Sequence, residues 1–290
     1  MDRLLDIANW IEGIVREFIN NSPENTLKNE KDERAWSDPL VGFSRGDDPL
    51  YEDYQKHIGS FHWTPLEIFK QTFPDADVTP KDLTVISWIL PQTEATKADS
   101  RKEEKYPPER WARARLYGEE VNNKLRKHVV DALQQKGHKA VSPMLSPKWS
   151  RQMSDAYGFA SNWSERHAAY AAGLGTFGLC DGLITPRGKA VRVGSVIAQI
   201  RVPATPRIHD DHHAYCLFFT KGTCKKCISR CPVGAITESG HDKVKCYSHT
   251  YGSSLKHIKS LHGFEVGSCG LCQTKVPCES RIPTEVSGEK

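Results

Sequence analysis

Between residues 2 and 20, Leu4, Leu5, Ala8, Ile11, Ile14, Val15 and Phe18 recur at spacings of three and four, which draws one apolar face of a helix. The stretch from Asn21 to Asp38 is polar and predicts a surface connection. Leu83 to Leu90 is a compact run of apolar, β-branched and aromatic residues closed by Pro91, the pattern of a core strand. The charged run from Thr93 to Lys105 reads as an exposed, structureless loop. Pro107 and Pro108 open an amphipathic helix that runs to about Gln135, with Gly137 as its stop. A strand is expected over residues 139 to 144. A second helix starts near Asn162, where Glu165 three residues on has the logic of a capping box, and ends at Gly173. Ala190 to Val202 is a mostly apolar strand interrupted by Arg192, Gly194, Ser195, Gln199 and Arg201. This alternation of helix and strand predicts an α/β sandwich around a central sheet. Residues 203 to 215, with Pro203, Pro206 and the run His209-Asp-Asp-His-His213, read as a linker.

Charge adds little to this picture. Forty Lys and Arg against 36 Asp and Glu leave a net charge of +4, and no basic stripe interleaved with aromatics stands out. Nucleic acid is therefore not expected as a partner. The start Met1-Asp2-Arg3 leads into an amphipathic pattern and predicts no secretory signal. No window approaches the roughly 18 consecutive apolar residues of a membrane span, so a soluble, cytoplasmic protein with no membrane partner is expected.

The cysteines change the picture. All nine follow residue 179: Cys180, Cys216, Cys224, Cys227, Cys231, Cys246, Cys269, Cys272 and Cys278. In a reducing compartment such crowding points to metal, not disulfides. Cys224-Lys-Lys-Cys227-Ile-Ser-Arg-Cys231-Pro232 contains most of the bacterial ferredoxin run, in which closely spaced thiolates hold one 4Fe-4S cubane and the cysteine before proline reaches the other. Setting Cys180 aside as a buried spectator leaves eight thiols, four for each of two clusters. The same rule assigns Cys216, Cys224, Cys227 and Cys278 to one cluster, and Cys231, Cys246, Cys269 and Cys272 to the second. Two zinc sites are the alternative, because paired C-x2-C segments also suit a tetrahedral structural metal. The His209 to His213 group reads as a solvated loop.

The segment Ser164-Glu165-Arg166-His-Ala-Ala-Tyr170-Ala-Ala-Gly173-Leu-Gly175-Thr-Phe177-Gly178, the later Gly194-Ser-Val-Ile197 and the double cysteine set resemble the epoxyqueuosine reductase and reductive dehalogenase group. That resemblance implies a nitroreductase-like α/β domain followed by a small two-cluster ferredoxin-like domain. It also implies a cobalamin that takes electrons from the clusters and reduces an organic substrate. Glu165, Arg166, Gly173, Gly175, Phe177 and Gly178 are then the expected cofactor-binding residues, with the glycines admitting backbone close to a flat cofactor. Some positions depart from the group. Lys221 stands where the first cysteine of the run is usual, making Cys216 its substitute. Phe159 stands six residues before Glu165, where epoxyqueuosine reductases carry an acidic proton donor.

The domain boundaries that follow are 1–205 for the α/β domain, 206–282 for the cluster domain and 283–290 for a polar tail. The expected activity is a cytoplasmic oxidoreductase that uses a small-molecule substrate and an external electron donor such as ferredoxin or flavodoxin. A corrinoid-free electron-transfer protein or partner subunit is the alternative. Reduction of an organic bond needs a proton donor. Tyr157 is the first candidate, with Asn162 and Arg192 as electrostatic partners.

Overall fold

The computed structural model describes residues 2–287. Helix α1 (Asp2–Asn21) leads to β1 (Leu40–Arg45), α2 (Leu50–Ile58), α3 (Pro65–Thr72), β2 (Thr84–Pro91), α4 (Glu94–Lys102) and α5 (Glu109–Gln135). There follow β3 (Ala140–Val141), the hairpin β4 (Arg151–Ser154) and β5 (Gly158–Ser161), α6 (Glu165–Ala171), β6 (Thr176–Phe177), β7 (Leu183–Ile184) and β8 (Val191–Ala198). The central sheet has the order β1-β2-β8-β3 and every pairing in it is antiparallel.

Alternation along the strands divides the core in two, because successive side chains of a strand point to opposite faces. Ile86, Trp88 and Leu90 of β2 join Val196 and Ala198 of β8 against Ile11, Val15 and Ile19 of α1 and Leu125, Val129 and Leu133 of α5. Val85, Ile89, Val193 and Ile197 face the other way, onto Tyr51 and Tyr54 of α2, Ile68 and Phe69 of α3 and the alanines of α6. The result is the α/β sandwich that the sequence pattern predicts. Gly194 lies opposite Trp88 in the register, and a Cβ there would stand 2.4 Å from the indole Nε1. The indole uses that space to donate to Asn122 Oδ1 of α5 at 2.8 Å.

Several local expectations need correction. The stretch 21–38 is not simply surface: Asn25, Leu27, Ala35 and Trp36 are buried, and Asn25 Nδ2 donates to the carbonyls of Ile19 and Trp36. Residues 94–102 form helix α4, with Thr93 as its cap accepting from Thr96 N. Asn162 is not the cap of α6; that position is Ser164, which makes no side-chain capping bond. Residues 203–215 are packed, with Thr205 N donating to Phe43 O and Ala214 and Tyr215 buried.

After residue 215 the chain is built from short pieces: α7 (Leu217–Lys221), α8 (Lys226–Ser229), the two-stranded ribbon β9 (Ile236–Thr237) and β10 (Gly240–His241), α9 (Lys243–Ser248), α10 (Ser254–His262) and α11 (Thr284–Ser287). Thus part of the expected polar tail is helical, and residues 288–290 lie outside the described residues. Helix α4 is the strut between the sandwich and this region. Ser100 Oγ and Thr274 Oγ1 are 2.8 Å apart, Lys97 donates to Ser280 Oγ at 2.7 Å, and Arg101 forks onto buried Glu279. From the far side, Arg230 donates to the carbonyls of Ser100, Glu103 and Thr274.

Candidate metal centre

The cysteines are brought together by loops that single short helices anchor. Cys216 caps α7, Cys224 and Cys227 flank and occupy the start of α8, and Cys278 follows the turn after Thr274. These four line one small cavity together with Leu179, Ile184, Lys189 and Tyr215. In the second group, Cys231 Sγ accepts from Ala235 N at 3.2 Å, and Cys246 Sγ is 3.9 Å from Thr250 Oγ1. Among the described residues, no group of three or more His, Cys, Asp or Glu side chains forms a site for a single metal ion. A set of thiols spread around a cavity suits a cluster that has a volume of its own.

Two cationic groups stand among these sulfurs. His241 Nδ1 is 2.9 Å from Asp181 Oδ2. Burial opposes its charge, but Asp181 and Cys246 outweigh that and push its pKa up to about 10. Lys189, only 3% exposed, donates to Cys180 Sγ at 3.2 Å. Burial works against this ammonium too, yet Cys180, Cys278, Cys272 and Cys227 together hold it well above its ordinary value. Cys180 is buried as expected, but it has neighbours: it packs in one small core with Cys216, Cys227, Cys272 and Cys278. Neither Lys189 nor the contacts of Cys180 are visible in the spacing, because neither residue belongs to a spaced ligand pattern.

The residues expected to hold a corrinoid are engaged elsewhere. Glu165 accepts from Arg126 Nη2 at 3.1 Å and from Ser195 Oγ, which in turn accepts from Trp163 Nε1 at 3.0 Å. Arg126, 1% exposed, also pairs with Glu119 at 2.9 Å, and Glu119 pairs with Arg192. Burial raises Glu119, but Arg192, Arg126 and Arg115 outweigh it and hold the carboxyl below its usual range. For Glu165 burial wins over Arg126, and its pKa is raised. Arg166 is exposed. A Cβ at Gly173 would meet Pro206 O at 2.7 Å and one at Gly175 would meet Ile184 O at 2.3 Å. Protein backbone therefore fills the space that a flat cofactor was expected to use at these two glycines. Phe177 packs on His167 and Tyr170, and the space beside Gly178 is taken by Ile184. Five of the six residues are thus occupied by contacts within the protein, and Arg166 faces solvent.

The three candidates for proton delivery share no partner. Tyr157 is 53% exposed in the turn of the β4–β5 hairpin, with Lys243 Nζ 5.8 Å over its ring. Asn162 clamps the base of the hairpin: Oδ1 accepts from Ser150 N at 3.0 Å and Nδ2 donates to Lys148 O at 2.9 Å. Arg192 belongs to the buried ion-pair network, where burial pulls it down to about 10. Phe159 stacks on Tyr247 at 4.9 Å, so the position where the related reductases carry an acid is an aromatic contact here.

No family model matches the chain. It is 35% identical over 125 residues to an epoxyqueuosine reductase of Gloeobacter violaceus, a match covering 40% of this chain and 36% of that protein. Over 119 residues it is 32% identical to an epoxyqueuosine reductase of Bacillus anthracis, covering 39% of this chain and 29% of the relative. The chain thus matches about a third of the length of these curated relatives. Among solved structures, a catabolic reductive dehalogenase in complex with 3-bromo-4-hydroxybenzoic acid aligns with a TM-score of 0.51 at 14% identity, over 95% of this chain and 37% of that one. A second reductive dehalogenase, described as B12-dependent, aligns with a TM-score of 0.50 at 16% identity, over 85% of this chain and 30% of its own. One further structural neighbour is an epoxyqueuosine reductase with an epoxyqueuosine-modified tRNA stem loop, at 18% identity and a TM-score of 0.46, over 95% of this chain and 71% of that one. The expectation that nucleic acid has no part is withdrawn on that finding; net charge was too coarse a guide, since one bound stem loop asks only for a local surface. Among the described residues no helix is long and apolar enough to cross a membrane. Over the matched part the chain is similar in sequence to epoxyqueuosine reductases, and over most of its length it shares the fold of reductive dehalogenases.

Proposed function

We propose that the chain is an iron-sulfur reductase that carries electrons on two 4Fe-4S clusters and delivers them to an organic substrate. The observation that carries this reading is the convergence of Cys216, Cys224, Cys227 and Cys278 on one cavity, from segments as far apart as α7 and the turn after Thr274. Cys231, Cys246, Cys269 and Cys272 supply the second set. A cluster would be held by these thiolates and would supply one-electron transfer. The chain's own residues surround it with apolar side chains, among them Leu179, Ile184 and Ile236. That enclosure would limit the access of water to a cluster held there.

The relatives imply a corrinoid as the reducing centre. Glu165, Gly173, Gly175, Phe177 and Gly178 are taken up by contacts within the protein and Arg166 faces solvent, so these residues lend a corrinoid site no support. This favours, as a second reading, a chain that hands electrons onward without holding the corrinoid itself. Anaerobic reconstitution tests the first claim: about eight irons and eight sulfides per chain are expected from four cysteines per cluster. Two tightly bound zinc ions and no visible absorption would refute it. Cobalt analysis after incubation with a corrinoid separates the two readings. Turnover assays of the reduced protein should include both 3-bromo-4-hydroxybenzoic acid and an epoxyqueuosine-modified tRNA stem loop, the molecules bound by two structural relatives.

A further inference from the structure

We infer that Lys189 is a fixed positive charge between the two cluster sites, placed there by Cys180 and Gly182 to make both clusters easier to reduce. The inference rests on the two-cluster reading above. Three observations carry it.

First, the lysine is buried among sulfurs. Its Nζ donates to Cys180 Sγ at 3.2 Å and lines the cavity of Cys216, Cys224, Cys227 and Cys278. An ammonium at 3% exposure is costly unless negative charge surrounds it. Second, Cys180 sits where the two groups meet, packed in one small core with Cys216, Cys227 and Cys278 of the first set and Cys231 and Cys272 of the second. The lysine it orients is therefore beside the place where the two sites approach each other. Third, the backbone is shaped for this side chain. A Cβ on Gly182 would stand 2.8 Å from Lys189 Cδ and 2.9 Å from Cγ, so a larger residue would expel the stem. At the other end, Lys189 N donates to Cys278 O at 2.8 Å, which ties the base of the lysine to a cluster ligand.

Reduction adds one negative charge to a cluster. A nearby ammonium in a medium of low dielectric favours that added charge, and cluster potentials follow net charge and hydrogen bonds to sulfur. Cys180 is a positioning residue in this scheme and not a ligand.

The test is redox titration of both clusters, followed by paramagnetic resonance, in the wild-type chain, Lys189→Gln, Lys189→Arg and Cys180→Ser. Lys189→Gln should keep its iron while both potentials fall. The larger fall, about tenfold in the reduction equilibrium or about 59 mV for a one-electron couple, is expected for the cluster of Cys216, Cys224, Cys227 and Cys278. Lys189→Arg should stay near the wild-type potentials, and Cys180→Ser should keep all of its iron, because a hydroxyl still accepts from the ammonium. Full clusters with unchanged potentials in Lys189→Gln would overturn the inference alone. So would loss of iron in Cys180→Ser, which would make that sulfur a ligand. If Lys189→Gln assembles no cluster, Lys189→Arg decides: intact clusters at wild-type potentials support the inference, and their absence overturns it. A wild-type chain that binds no cluster would overturn the two-cluster reading and this inference with it.

Discussion

At the scale of single residues, the molecule is sensitive where a small side chain makes room for a large one. Gly194 faces Trp88 across two strands, and Trp88 is fully buried with its indole bonded to Asn122. Gly194→Val should force the indole off its partner and cost about 2 kcal/mol or more, within the range of overpacked cores, read as a lower denaturant midpoint. Two histidines set an acid limit. Burial holds His62 at about 4 and His167 at about 3; Arg166, Lys243 and His212 also oppose charge on His167, while Glu67 favours charge on His62. Both folded values lie below the unfolded one near 6.5, so the unfolded chain binds more protons in acid. Their contribution is complete above about pH 6.5 and declines as pH falls toward the folded values. At pH 5 the loss should be about 2 kcal/mol for each histidine, and His167→Gln should remove about half of the difference between urea midpoints at pH 7 and pH 5. An equally steep pH dependence in that variant would reject the assignment.

Among the elements, α4 is the one that most connects sequence to function, and it is the one the sequence pattern hides. Its buried positions are Thr96 and Ser100, hydroxyl residues four apart, so no apolar stripe marks the helix. The same reason conceals the β4–β5 hairpin, most of whose residues are not buried. By contrast α1, α5, β2 and β8 present clear apolar faces, and their positions were legible within a few residues. The cysteine set was legible because ligand spacing survives without any packing signal. Its surroundings were not: Lys189 reaches Cys180 only through the fold, just as Arg126 of α5 reaches Glu165. Because Arg230 donates to four carbonyls, those of Ser100 and Glu103 at α4 and those of Leu271 and Thr274 in the cysteine region, Arg230→Met should cost about 3 kcal/mol, counted as lost charged hydrogen bonds. Hydrogen exchange should show the loosening at residues 100–103 and 271–274. Fast exchange confined to the α1–α5 face would contradict this role for the strut.

Over the whole molecule, the sandwich and the cysteine region differ in what holds them. The sandwich has two continuous apolar cores on either side of a four-stranded sheet. The cysteine region has a small core in which cysteines are part of the packing, next to short helices of four to nine residues. Removing iron with a chelator should therefore unfold the second and spare the first, since metal binding free energy is folding free energy where the core is small. Thermal unfolding should then split in two, with the near-ultraviolet signal of Trp88 and Trp163 retained through the first step. A single transition before and after chelation would mean that the sandwich depends on the clusters. The order of the segments also has a consequence for biosynthesis. All four strands of the central sheet lie before residue 199, ahead of the first of the eight cysteines, whereas the first cavity is lined only when Cys278 has joined Cys216, Cys224 and Cys227. On the ribosome the sandwich can form while the ligand set is still incomplete. On the two-cluster reading, iron delivery to the first site would thereby be a late event, made onto a scaffold that has already folded.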